Sequence, residues 1–139
     1  MTSSILVWFL RALFVLVLGS MLWVTSWASL QCPLFAIPLE VYSHPWFIAT
    51  LVDAYWGFIT FFVWVAWKEE SVAARILWFL AVMLLGNIAM ALYFLRELSA
   101  VRTSDEIGLV FTRRNPGYTL LASSLLAAAG LVYLLAWIS

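Results

Sequence analysis

Four long apolar runs constrain this chain more than any other feature: roughly Ile5–Trp27, Pro45–Trp67, Val72–Leu95 and Tyr118–Ile138. The hydrocarbon layer of a bilayer is about 30 Å thick, which takes about 20 helical residues at a rise of about 1.5 Å each. Each run is long enough to cross. No water reaches that layer, so every segment must satisfy its own N–H and C=O groups, and continuous apolar runs do so as α-helices. The alternating ten-residue pattern of a membrane barrel is absent. The predicted fold class is therefore all-α, an integral membrane four-helix bundle with spans at about 5–27, 45–67, 72–95 and 118–138. Residues 1–139 would form a single transmembrane helical domain. Composition agrees, with 66% hydrophobic and only 10% charged residues in 139 and a mean hydropathy of +1.06. A soluble domain carries about a quarter of its residues as charges. Net charge is zero, which argues against a nucleic-acid surface.

The connections are short. Ser26-Trp27-Ala28 has the spacing of a signal-peptide cleavage site, yet Met1–Ser4 carries no Lys or Arg and the apolar run is too long. An uncleaved span is expected. The segment LQCPLFAIPLEVYSHP has three prolines and reads as an irregular interfacial loop. Pro45 suits the first turn of the second span, with Ser43 or His44 as its cap. Lys68-Glu69-Glu70 predicts a turn in water, and Ser71 an N-cap for the third span. Thr103-Ser104-Asp105 opens a short helix, Ile107–Phe111 touches the interface, and Asn115-Pro116-Gly117 turns into the last span. There, Ser123, Ala127 and Gly130 form a small-residue side that another helix could approach closely. Four spans place both termini on one side. Four Arg in the 96–117 loop, against Lys68, Arg75 and Arg11, lean that side outward by the positive-inside rule.

Each middle run carries one strongly polar side chain, Asp53 and Asn87. Asp53 lies about 21 Å from Trp67 and Asn87 about 20 Å from Ala74 by helix rise, so an antiparallel hairpin sets them level. They are expected to form a polar centre, with Tyr55 or Tyr93 nearby and Gly57 and Gly86 allowing close backbones. A carboxylate at a helix centre costs about 2.5–3.5 kcal/mol on insertion scales. Either Asp53 takes up protons or grips a ligand, or the pair only fastens two helices at about 1 kcal/mol.

The remaining polar groups have plainer readings. Arg11, about 9 Å from its interface, would snorkel towards phosphate or Glu69 and Glu70. Arg11, Arg75, Arg113 and Arg114 are candidates for headgroup or partner contact. His44 is a weak candidate for a cofactor ligand, since haem in one chain needs a second strong ligand; helix capping is the plainer role. Cys32 has no companion at metal spacing and reads as buried or inert. No metal site, cofactor or catalytic order of residues is expected.

The hairpin PWFIATLVDAYWGFITFFVWVAWKEE followed by ARILWFLAVMLLGNIAMALYFL resembles a family of small, uncharacterised helical membrane proteins catalogued as a domain of unknown function. The resemblance covers about residues 45–97, and TRRNP faintly. The matching positions are Asp53, Tyr55, Gly57, Lys68, Glu69, Arg75, Gly86, Asn87 and Tyr93. It implies membrane location and a helical hairpin core, and no activity. The expected function is a non-catalytic accessory, assembly or scaffold subunit of a membrane complex, in contact with lipid and with other subunits or its own copies. The alternative is a small oligomeric proton-coupled transporter using Asp53. A lipid- or isoprenoid-processing membrane enzyme would have Asp53 as its sole acid candidate.

Overall fold

The structure, a computed structural model, describes residues 4–138. The described residues are all-helical: α1 (Ile5–Gln31), α2 (Leu39–Tyr42), α3 (Pro45–Lys68), α4 (Val72–Leu85), α5 (Asn87–Ser99), α6 (Ile107–Thr112) and α7 (Leu120–Ile138). Short 3₁₀ turns lie at Leu34–Ala36 and Ser104–Glu106. Three helices, α1, α3 and α7, are long and apolar enough to cross a membrane. α1 continues through Ser26-Trp27-Ala28, and the charge-free start, Met1–Ser3, lies outside the described residues.

Local signals set the boundaries. Pro45 occupies the first turn of α3, and the His44 ring accepts a hydrogen bond from the Trp46 N–H at 3.3 Å. Ser71 caps α4 through the Ala74 N–H. Thr103 and Glu106 form a reciprocal capping box over the turn that feeds α6. Gly117, at φ +100°, makes the bend before α7; a Cβ there would sit 2.3 Å from Ser71 Cβ.

The third expected span is not one helix. The chain breaks at Gly86, whose φ of 52° and ψ of −125° lie in a region open essentially to glycine. A Cβ at this point would also lie 2.6 Å from the Phe58 ring of α3. The chain then reverses. A continuous helix would separate Glu69 from Tyr93 by roughly 36 Å, yet the Tyr93 hydroxyl donates to the Glu69 carboxylate at 2.9 Å. Trp78 and Tyr93, almost symmetric about Gly86, meet edge to face at 4.8 Å. α4 and α5 are thus the two arms of a helical hairpin. Its tip is tied down: Gly86 N–H donates to the Val82 carbonyl, and the Tyr133 hydroxyl of α7 reaches the Leu84 carbonyl at 3.3 Å. That bond satisfies one of the carbonyls a helix end leaves free.

The hairpin organises the rest. α5 lies along α1, with Phe14 stacked on Phe94 at 4.4 Å, while α4 packs against α3 and α7. Val65, Trp78, Ala81, Val82, Ala89, Tyr93 and Ala122 form the main core. Val7, Leu98, Val101 and Val110 form a second cluster beneath α6. α7 uses Ala122 and Ala129 to approach its neighbours, so the Ser123, Ala127 and Gly130 side is exposed, with no helix against it among the described residues.

One end of the molecule holds the start of α1, the 68–71 turn, the end of α5, α6 and the start of α7. The other holds the end of α1, α2, the start of α3 and the end of α7, where Phe35 meets Trp137 at 5.7 Å. The start of α1 and the end of α7 therefore lie at opposite ends. Four straight runs would have set the start of α1 and the end of α7 at one end; the reversal at Gly86 sets them at opposite ends.

Candidate functional site

The densest chemistry lies where α3 ends. Asn115 is stitched to the 68–70 backbone, its N–H donating to the Lys68 carbonyl at 2.8 Å and its carbonyl accepting from Glu70 N–H at 3.0 Å. This clamp brings the loop before α7 over the end of α5. Tyr93, Arg96 and Glu97, spaced i, i+3 and i+4, then share the helix face that looks into it.

Lys68 and Glu97 form an ion pair at 2.7 Å with both side chains fully or almost fully buried. Lys68 also donates to the Val110 carbonyl. Glu69, buried as well, accepts from Tyr93 at 2.9 Å, from the Asn115 amide at 3.0 Å and from Arg96 at 3.0 Å. The Asn115 amide also donates to Glu97 at 2.9 Å. Arg113, more exposed, stands 3.7 Å from Glu97. The buried centre balances two cations, Lys68 and Arg96, against two carboxylates, Glu69 and Glu97. Isolated buried charges cost several kcal/mol, so only such mutual satisfaction makes this burial tolerable. Glu69 Oε2, Trp78 Nε1 and Arg96 Nη1 are buried without a hydrogen-bond partner among the described residues.

A ring of arginines surrounds the centre. Arg75 Nε donates to the Glu69 carbonyl at 2.7 Å. Arg11 donates to the Leu98 and Val101 carbonyls, both at 2.8 Å, and so caps α5 from across the α1 interface. Its partner is thus a helix end, not Glu69, Glu70 or Asp53. Arg114 lies over the Trp67 ring at 5.2 Å.

The expected polar centre at Asp53 and Asn87 is not assembled within the chain. Both side chains are exposed, and among the described residues no hydrogen bond or ion pair joins them. The cause is the break at Gly86. It makes Asn87 the first residue of α5 and turns the tip of the hairpin, through Gly86, onto Phe58. Tyr55 is exposed beside Phe58, and Tyr93 belongs to the buried network at the other end. Asp53 borders a shallow hollow with Trp46, Ala49 and Thr50. His44 serves as the α3 cap. Cys32 is an exposed free thiol, not a buried one. Among the described residues no group of three or more His, Cys, Asp or Glu is placed to hold a metal.

Sequence reasoning gives no site role to Arg96, Glu97 or Tyr133, marks Asn115 only as part of a turn, and treats Lys68 and Glu69 as a turn and as positions matching the family resemblance. Lys68-Glu69 reads as a solvated turn and is instead buried. The available signal was the Tyr93-x-x-Arg96-Glu97 spacing, which sets a donor, a cation and an acid on one helical face opposite that turn.

No curated protein and no solved structure matches the chain. A family model described as "Protein of unknown function (DUF1475)" matches residues 2–130, nearly the whole chain, and the chain belongs to that family.

Proposed function

We propose that this member of DUF1475 is a multi-pass integral membrane protein that acts without catalysis, as an accessory, assembly or scaffold subunit of a membrane complex. In the bilayer, α1, α3 and α7 cross fully, and α4–α5 enters from the polar end and returns, in place of a fourth crossing. Orientation follows from charge. All seven Lys and Arg lie on segments at the polar end, and the 32–44 loop at the other end has none. By the positive-inside rule the polar end faces the cytoplasm.

The observation that carries this reading is a contrast between two surfaces. The polar groups at the cytoplasmic end mostly satisfy one another, which makes a rigid brace, while the outer faces of α1, α3 and α7 stay open along most of their length. Trp23, Trp46 and Leu131, for example, are 75%, 78% and 58% exposed. Such faces suit lipid and neighbouring helices. Isolation in lipid nanodiscs tests the reading: a stoichiometric membrane partner whose abundance falls in cells lacking this chain supports it. A lone chain whose loss leaves the membrane complexes of the cell unchanged refutes it.

The transporter reading keeps one favourable observation, the unpartnered Asp53 carboxyl beside its hollow. Because Asp53 faces outward, a pathway would have to form between copies. Proton-driven flux in proteoliposomes, abolished by Asp53→Asn, would support it.

A further inference from the structure

Asp53 stands eight residues into α3, about 12 Å from its start by helix rise. That depth is inside the hydrocarbon if α3 crosses as proposed. Its carboxyl has no partner among the described residues, and the nearest hydroxyl on its face, Thr50, is spent on the Trp46 carbonyl at 2.8 Å. Facing lipid, such a group carries an insertion penalty that a cationic partner would remove. The surface around it is shaped for a helix. Ala49, Asp53 and Gly57 repeat every four residues, all are exposed, and a Cβ added at Gly57 meets nothing within 4 Å. Small residues at this spacing let backbones approach closely in lipid. The hollow beside Asp53 would take a side chain from the approaching helix.

Charge selects the occupant. Every Lys and Arg of this chain lies on segments at the cytoplasmic end. A second copy inserted in the same orientation therefore offers no cation at the depth of Asp53 and would set carboxyl against carboxyl. We propose that the Ala49–Asp53–Gly57 face of α3 docks a transmembrane helix of a different protein, held by a lysine or arginine that pairs with Asp53. This rests on the subunit reading and names the chemistry of the partner.

The test uses the full chain in phosphatidylcholine vesicles, labelled with a donor fluorophore at Cys32, the single cysteine, on the same end as the start of α3. The probe is a synthetic leucine–alanine transmembrane peptide with one lysine about 12 Å below that interface and an acceptor label. Its control carries leucine instead. The lysine peptide is expected to bind about tenfold more tightly. Asp53→Asn should erase the difference, and Gly57→Leu should weaken binding of both peptides. Equal binding of the two peptides, or a difference that survives Asp53→Asn, overturns the proposal. So does energy transfer between labelled copies that the lysine peptide does not displace, since the occupant is then a second copy. A cellular partner that co-isolates equally with the Asp53→Asn chain would also sink the docking proposal while leaving the subunit reading intact. Discrimination by the peptides without any cellular dependence would do the reverse.

Discussion

Lys68→Met should damage this protein far more than a surface lysine would. The Lys68 side chain is 0% and that of Glu97 1% exposed, at 2.7 Å. Removing one member of a buried pair costs about 3–5 kcal/mol because the other charge is left without compensation. Here the residue is partly offset, since Arg96 lies 3.6 Å and Arg113 3.7 Å from the same carboxylate. The expected loss is therefore near the lower bound, about 3 kcal/mol. Glu97→Gln should cost a similar amount by stranding the ammonium, while still accepting from the Asn115 amide. The double variant removes both charges together and should cost clearly less than the sum, with a coupling of about 2–3 kcal/mol. Reversible unfolding in mixed micelles, followed by circular dichroism, measures all three. Single losses below about 1 kcal/mol that simply add would mean a loose, hydrated pair, as at an ordinary surface, and would refute the buried brace.

Gly86→Ala should destabilise by about 2–4 kcal/mol, from backbone strain and from overpacking against Phe58; Phe58→Leu should restore the packing part only, in the same unfolding assay. Tyr93→Phe should cost about 1.5–3 kcal/mol by withdrawing a donor from the Glu69 carboxylate. Trp78→Phe should lose less than that from hydrogen bonding, because its indole N–H has no partner to give up; comparing the two melting curves checks the order. The N–H groups of Arg102 and Thr103 hold the half-buried Glu106 carboxyl below the ordinary glutamate value. A depressed value stabilises the folded form above the ordinary glutamate range, and the benefit is lost as pH falls through the lowered value. Hydrogen exchange over residues 103–112 should therefore quicken only on acidification, and Glu106→Gln should show the faster exchange already at neutral pH.

Much of the fold is legible in the sequence, for a physical reason. Apolar length fixes helices in a medium without water, so α1, α3 and α7 fall close to their expected spans, while Pro45, Ser71 and Thr103 mark the starts of α3, α4 and the turn into α6 through local signals. The hairpin is not legible by the same means. Hydropathy sums over 72–95 alike whether the run crosses once or folds into two arms, and a lone glycine in an apolar helix is usually tolerated. What decides is the Phe58 ring against Gly86, a contact with another helix. The polar site fails for the same cause. Asp53 and Asn87 were level only if the run were straight, whereas Lys68, Glu69, Tyr93, Glu97 and Asn115 come together only because it is bent.

The reversal at Gly86 is the claim on which the rest stands, and a distance settles it. Spin labels at Glu70→Cys and Ser99→Cys, in a Cys32→Ser background and in nanodiscs, should report a separation below roughly 25 Å by double electron–electron resonance, since a hairpin of two arms returns both sites to the same end of the molecule. A straight helix through residues 72–99 would hold them roughly 40 Å apart or more, and that result would contradict the hairpin, the buried brace and the placement of the two ends together.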